Sequence, residues 1–203
     1  MKLTKNINFR NFDKKVKSNN VQRKLQNILK TKNQVFDSLS SKYKYSYSKK
    51  FTSELKKKII NFRIIGIGGS ILGFKAIYNF LYNKVKRKVE FVDNLKSNFT
   101  NDLKSKKNFN LVISKSGNTL ETLTNANLLL KKNDYNVFIT QKNPSYLRSL
   151  AEKMKAEIID HNNFIGGRYS VLSEVGMLPA CLVGLQEKKF KRLNYLIRNK
   201  NFM

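Results

Sequence analysis

Apolar residues along this chain fall into short runs of four to six, separated by longer stretches in which they recur at helical spacing. The runs at 62–67, 89–92, 111–114, 137–140 and 157–160 have the length and β-branched content of buried strands. The stretches 70–83, 98–105, 119–132 and 144–153 carry apolar residues three and four apart and predict helices between them. Pro144 suits a first helical turn after an Asn143 cap. Alternating strands and helices with short connections predict an α/β fold, a three-layer α-β-α sandwich around a mainly parallel five-stranded sheet. Its crossovers should be right-handed, and ligands of such sheets bind beyond the carboxyl ends of the strands. Residues 1 to about 45 read as a polar helical segment, with apolar faces at Val21, Leu25, Ile28 and Leu29 and again at Val35, Phe36 and Leu39. Tyr43, Tyr45 and Tyr47 alternate with Lys44, Ser46 and Ser48, the pattern of a short extended segment; as a nucleic-acid platform it is the weaker reading. A loop at 161–167, one long helix at 169–185 and a basic amphipathic segment at 188–203, with Phe190, Leu193, Leu196 and Ile197 at helical spacing, complete the pattern. The expected boundaries are a helical extension over 1–48, a domain over 49–186 and the start of a further unit over 187–203.

Composition narrows this only slightly. A chain of 203 residues, 40% apolar with 14 Phe and 9 Tyr, can fill one sizeable core. No run is long and apolar enough to span a membrane, and residues 1–15 are basic without the apolar centre of a secretory signal. The single cysteine, Cys181, excludes an internal disulfide and reads as a small buried hydrophobe. These features together suit the cytoplasm. The net charge of +28 raises a nucleic-acid hypothesis. However, the basic residues are mostly Lys, spread from end to end among Asn, Ile and Phe, and no nucleic-acid motif accompanies them. Drift toward AT-rich codons explains that pattern without a partner. The charge will draw anions to the surface, less so at high salt.

Three segments carry candidate chemistry. In the first, a strand runs into Ser114-Lys115-Ser116-Gly117-Asn118-Thr119-Leu120-Glu121-Thr122 and opens a helix. Helix-start amides lack intrahelical partners and carry partial positive charge. With the hydroxyls of Ser114, Ser116, Thr119 and Thr122 and with Lys115 around them, they form a phosphate cradle by chemistry. A well-capped helix without a ligand reads equally from the same residues. Glu121 suits the first turn of that helix. The second segment, Gly66-Ile67-Gly68-Gly69-Ser70-Ile71-Leu72-Gly73, allows a ligand close to a helix start. It loosely mimics a dinucleotide fingerprint, with Asp93 as the ribose acid, but the last gap is too long; a plain tight turn is the alternative. In the third, Gly166-Gly167 precedes Arg168, whose guanidinium can hold an anion or meet a developing oxyanion; a surface Arg after a flexible loop reads as well.

Taken in order, the three segments resemble the phosphoglucose isomerase family of the sugar isomerase (SIS) superfamily. The likeness runs over roughly residues 60 to 182 and includes Phe91-Val92-Asp93-Asn94 and the signature from Gly166 to Pro179. Where the family's glycine turn usually continues with Pro, this chain has Phe74. The resemblance implies an SIS-type, flavodoxin-like domain over 49–186 that binds sugar phosphate. It implies interconversion of glucose 6-phosphate and fructose 6-phosphate through an enediolate, with no cofactor and no metal. Gly69, Ser70, Ser114, Lys115, Ser116, Thr119 and Thr122 would bind substrate, and Arg168 would be catalytic. The family assembles as homodimers. Its catalytic glutamate, ring-opening histidine and late lysine lie beyond the arginine signature. The chain is therefore expected to be an amino-terminal half lacking the base, with 187–203 opening a truncated second half; a sugar-phosphate-binding module without turnover is the alternative. Such a half is expected to expose the apolar face of 171–185. His161, the one histidine, precedes Arg168 and reads as a loop residue, and Glu174, where the family often has a small residue, reads as a helix-surface substitution.

Overall fold

The computed structural model describes residues 19–31, 33–95 and 107–198. Five parallel strands form one sheet: β1 (Asn61–Ile65), β2 (Val89–Val92), β3 (Asn108–Ile113), β4 (Tyr135–Thr140) and β5 (Glu157–Asp160), in the order β2-β1-β3-β4-β5. Strand order reverses beside β1, so the crevice at which such sheets take ligands opens between β1 and β3. The central strand β3 is buried along its whole length, with Leu111 opposite Ile64 on one side and Val137 on the other.

Side chains alternate across the sheet, and each face has its own core. On one face Ile64, Leu111, Ile113 and Ile139 meet α3 (Lys49–Lys58), α4 (Leu72–Phe80) and α7 (Glu174–Leu182) through Leu55, Phe74, Met177 and Leu178. On the other, Ile65, Val112 and Phe138 meet α5 (Leu120–Leu129) and α6 (Tyr146–Lys153) through Ala126, Leu129, Leu147 and Ala151. The three-layer α-β-α architecture is as the sequence pattern predicts. Ahead of it stand α1 (Asn19–Lys30) and α2 (Gln34–Leu39), the described part of the helical segment. The helix expected at 98–105 lies outside the described residues.

Local departures have physical causes. β3 begins at Asn108, three residues before the apolar run, because Asp134 and Asn136 accept from its first residues laterally. Asn108 N donates to Asp134 Oδ1 at 3.0 Å, and Asn110 Nδ2 donates to Asn136 Oδ1 at 2.8 Å. Ser145, not Asn143, caps α6, its Oγ accepting from Arg148 N at 3.3 Å; Pro144 lies just outside the helix. No extended strand forms at 43–47. Tyr45 and Tyr47 stack there with ring centroids 5.1 Å apart.

The long helix expected at 169–185 is two pieces, a 3₁₀ segment Gly167–Leu172 and α7. The break falls at Ser173, whose Oγ donates to Ser170 O at 2.7 Å and accepts from Val175 N. There α7 folds back on the 3₁₀ segment so closely that a Cβ on Gly176 would lie 2.1 Å from Val171 O. Nor is α7 exposed, as expected of a half: its residues from Glu174 to Ala180 are all buried, under α3 and α4, and only Cys181 is half-buried. Gly176→Ala should therefore destabilise the chain by about 1–3 kcal/mol, the usual cost of forcing extra volume into a packed site. Urea denaturation against wild type measures it.

Candidate functional site

Parallel strands deliver three loops to one edge. After β1 the chain turns through Gly68, at φ +56°, into a short 3₁₀ segment, Gly68–Ser70. After β3 it enters the hydroxyl turn. Gly117, at φ +69°, lies so tightly on the start of α6 that a Cβ would stand 2.1 Å from Ser145 Oγ. Leu147 N donates to Gly117 O and Tyr146 N to Asn118 Oδ1, which stitches the turn to that helix.

The hydroxyls first serve the turn itself. Gly117 N donates to Ser114 Oγ at 3.2 Å, Asn118 N donates to Ser116 Oγ at 3.3 Å, and Ser114 Oγ lies 3.1 Å from Thr119 Oγ1. Thr119 is the N-cap residue of α5, yet its side chain makes no capping bond, so it does not close the helix-start amides. Glu121 sits in the first turn. Ser116 is exposed, Lys115 and Thr119 are half-buried, and Ser114 and Thr122 are buried.

The loop after the edge strand β5 travels farthest. His161 N bonds Thr140 O at the end of β4 (2.8 Å), and Lys115 of the β3 turn donates to Asn163 O (2.5 Å). Gly167 then arrives over the β1 turn, where a Cβ on Gly69 would meet its carbonyl at 2.5 Å, and Ser170 Oγ donates to Gly69 O at 3.0 Å. This loop thus crosses the ends of β4 and β3 and sets Arg168, exposed, beside the glycine turn. Gly69, Gly73, Ala76, Gly167, Arg168 and Tyr169 are among the residues lining a cleft of about 690 Å³. The structure brings Gly69, Ser70 and the Arg168 loop together and ties Lys115 to that loop; the hydroxyls of the 114–122 turn do not line the cleft. Asp93 is engaged by Lys75 of α4 at 2.5 Å.

Two residues differ from expectation. Glu174 is 0% exposed, not a surface substitution. It accepts from Tyr43 Oη (2.9 Å), Ser46 N (3.0 Å) and Ser46 Oγ (3.3 Å). His161 does lie in a loop, but buried, with Nδ1 3.6 Å from Glu174 Oε2. Burial pushes the Glu174 carboxyl up, but the facing His161 ring and the bonds from the backbone, Ser46 and Tyr43 outweigh it and hold it below its ordinary value. Nearby, burial pulls Lys191 down to about 8, against Glu174 and Glu187; its Nζ donates to buried Ser38 O and lies 4.7 Å from the Tyr43 ring centroid. Sequence reasoning passed over this cluster, although one signal was present: a lone carboxylate heading a helix that is otherwise apolar on all sides.

Fold and loops define a sugar-isomerase-type α/β domain. A glucose-6-phosphate isomerase from Chlamydia trachomatis superposes with a TM-score of 0.55 at 26% identity, covering 73% of this chain and 30% of that one. The sequence model described as phosphoglucose isomerase matches residues 4–194, and the chain belongs to that family. Curated relatives include glucose-6-phosphate isomerases of Campylobacter jejuni, 32% identical over 147 residues, and Methanocaldococcus jannaschii, 37% identical over 140. The matches take in 66% and 64% of this chain but 36% and 34% of those relatives, so the chain spans about a third of their length.

The Glu174 carboxyl titrates below its ordinary 4.5 when folded, so the unfolded chain binds more protons in between and stability rises with pH there. Its contribution is complete above that ordinary value and is lost as pH falls through the folded one. Glu174→Gln removes this component. The stability gap between wild type and variant, measured by urea denaturation from pH 7 downward, should narrow in acid; a gap constant with pH would contradict the ionised, bonded carboxylate.

Proposed function

We propose that this chain carries the phosphate-gripping part of a phosphoglucose isomerase, which interconverts glucose 6-phosphate and fructose 6-phosphate by proton transfer through an enediolate. The observation that carries the reading is the path of the β5 loop, which crosses two strand ends to pack Gly167 on Gly69 and present Arg168 at the β1 turn. In this reading the phosphate sits at the start of α5, where Ser116, Thr119 and the first amides of the helix face it, the helix dipole favours its charge and Lys115 stands alongside. Ser114 and Thr122, buried behind the turn, complete the cradle. Gly69 and Ser70 meet the sugar, and Arg168 stabilises the oxyanion that develops when a base removes the proton alpha to the carbonyl.

Glu174 is not that base. It is sealed from the cleft, and its carboxyl is held below the ordinary range, whereas abstraction near neutral pH asks for one held above it. In the family that base follows the arginine signature. The sealing of Glu174 also favours the second reading, a sugar-phosphate-binding module without turnover.

The purified chain should show no isomerisation of glucose 6-phosphate in a coupled assay; turnover would mean that a base within 1–203 has been overlooked. The phosphate analogue 6-phosphogluconate at a hundred times its dissociation constant should stabilise the fold by about 2.7 kcal/mol, read as a rise in melting temperature. Ser116→Ala combined with Thr119→Ala should abolish that rise. If the double variant is stabilised as wild type is, the cradle is not where the anion binds.

A further inference from the structure

Glu174 touches none of the residues assigned to the sugar phosphate, yet it joins three separate parts of the chain. From one side the segment before α3 supplies Tyr43 Oη and two groups of Ser46. From the other comes His161, its side chain 1% exposed. His161 Nε2 lies 3.2 Å from Ile165 O; a carbonyl only accepts, so Nε2 carries a proton and donates. Nδ1 makes no conventional hydrogen bond and faces Glu174 Oε2 at 3.6 Å. At that distance the ring and the carboxylate face each other in electrostatic contact rather than through a hydrogen bond. Asn162 Nδ2 closes the set by donating to Tyr43 Oη at 2.7 Å.

His161, Asn162 and Ile165 all belong to the loop that ends in Arg168. We propose that Glu174 and His161 are positioning residues for Arg168: the segment 43–46 clamps the pair from one side, and the pair fixes the 161–168 loop over the carboxyl edge of the sheet. The inference rests on the sugar-phosphate reading for what Arg168 meets, while the clamp itself is read without a ligand. Its chemistry is asymmetric. Gln at 174 keeps the shape and still accepts from Tyr43 and Ser46, but it has no charge to set against the His161 ring. Phe at 43 keeps the ring and removes the hydroxyl that serves both Glu174 and Asn162.

The test compares the purified 203-residue chain with Glu174→Gln and Tyr43→Phe. Amide hydrogen exchange over 161–170 should quicken about tenfold in both variants while amides of β3 and β4 keep their protection. Unchanged exchange in the loop, or equal quickening in loop and sheet, overturns the clamp. Should Glu174→Gln fail to fold, Tyr43→Phe alone gives the same reading. Because the chain has one histidine, its imidazole nitrogen resonances need no assignment. The Nδ1 signal should move in Glu174→Gln, and an unmoved signal counts against the pair. Affinity for 6-phosphogluconate should fall about five- to tenfold in both variants, a loss of 1–1.4 kcal/mol of binding. A loosened loop with wild-type affinity overturns the positioning of Arg168. If wild type binds no 6-phosphogluconate, the sugar-phosphate reading fails, and hydrogen exchange still decides the clamp.

Discussion

Parallel pairing makes every strand of this sheet end on the same edge, and the near contact of Gly69 with Gly167 turns that edge into a site. Gly69 must be glycine, because a Cβ there would fall 2.5 Å from the Gly167 carbonyl oxygen, whereas a Cβ on Gly167 would meet Gly69 Cα at an ordinary 3.6 Å. Without that approach the loop after β5 would stay beside its own edge strand, and Arg168 would stand apart from the turns after β1 and β3. The order β2-β1-β3-β4-β5 sets the distance to be crossed, and the loop crosses it with little regular structure of its own.

Charge is distributed in keeping with this arrangement. The chain carries +28, but its buried carboxylate is enclosed by groups that donate to it. Tyr43, Tyr45 and Tyr47 have hydroxyls pushed up, first by burial and then by Glu174 or Glu187, and Tyr43 and Tyr47 donate to those carboxylates. A buried carboxylate is costly unless every lone pair is used. Here the donors come from the segment 43–46 while His161 faces the same carboxylate, so the charge ties that segment and the 161–168 loop to α7.

The layers and the three loops were legible in the sequence because each is local. A strand, a turn rich in Gly or Ser and a helix start lie within about fifteen residues, and the alternation of such units implies the parallel sheet. Tyr43 and Glu174 are 131 positions apart, and nothing local connects them. A carboxylate at a helix start ordinarily marks a favourable surface charge, which is why Glu174 read as one. The split of 169–185 depends on Gly176 packing against Val171, and the early start of β3 depends on Asp134, 26 residues on. In the second case a distant partner overrode the local pattern; in the first, a close backbone contact five residues away broke the helix. The hydroxyl turn was half legible: its composition allowed a cradle or a cap, and the orientation of Thr119 toward Ser114 removes the side-chain cap.

The turn after β3 and the loop after β5 are not independent. Lys115 belongs to the first, and its Nζ holds Asn163 O of the second; Gln141 N and Thr140 Oγ1 hold the Lys115 carbonyl from β4. Ordering a loop that lacks regular structure costs about 1–2 kcal/mol of backbone entropy per residue. Whatever orders 114–119 therefore lowers the cost of ordering 161–168 as well. Lys115 restrains Asn163, and five residues later the chain reaches Arg168. The clamp at Glu174 restrains the same loop from the opposite side. Arg168 is exposed at the tip of this loop, yet its backbone is determined by two anchors in different layers of the fold.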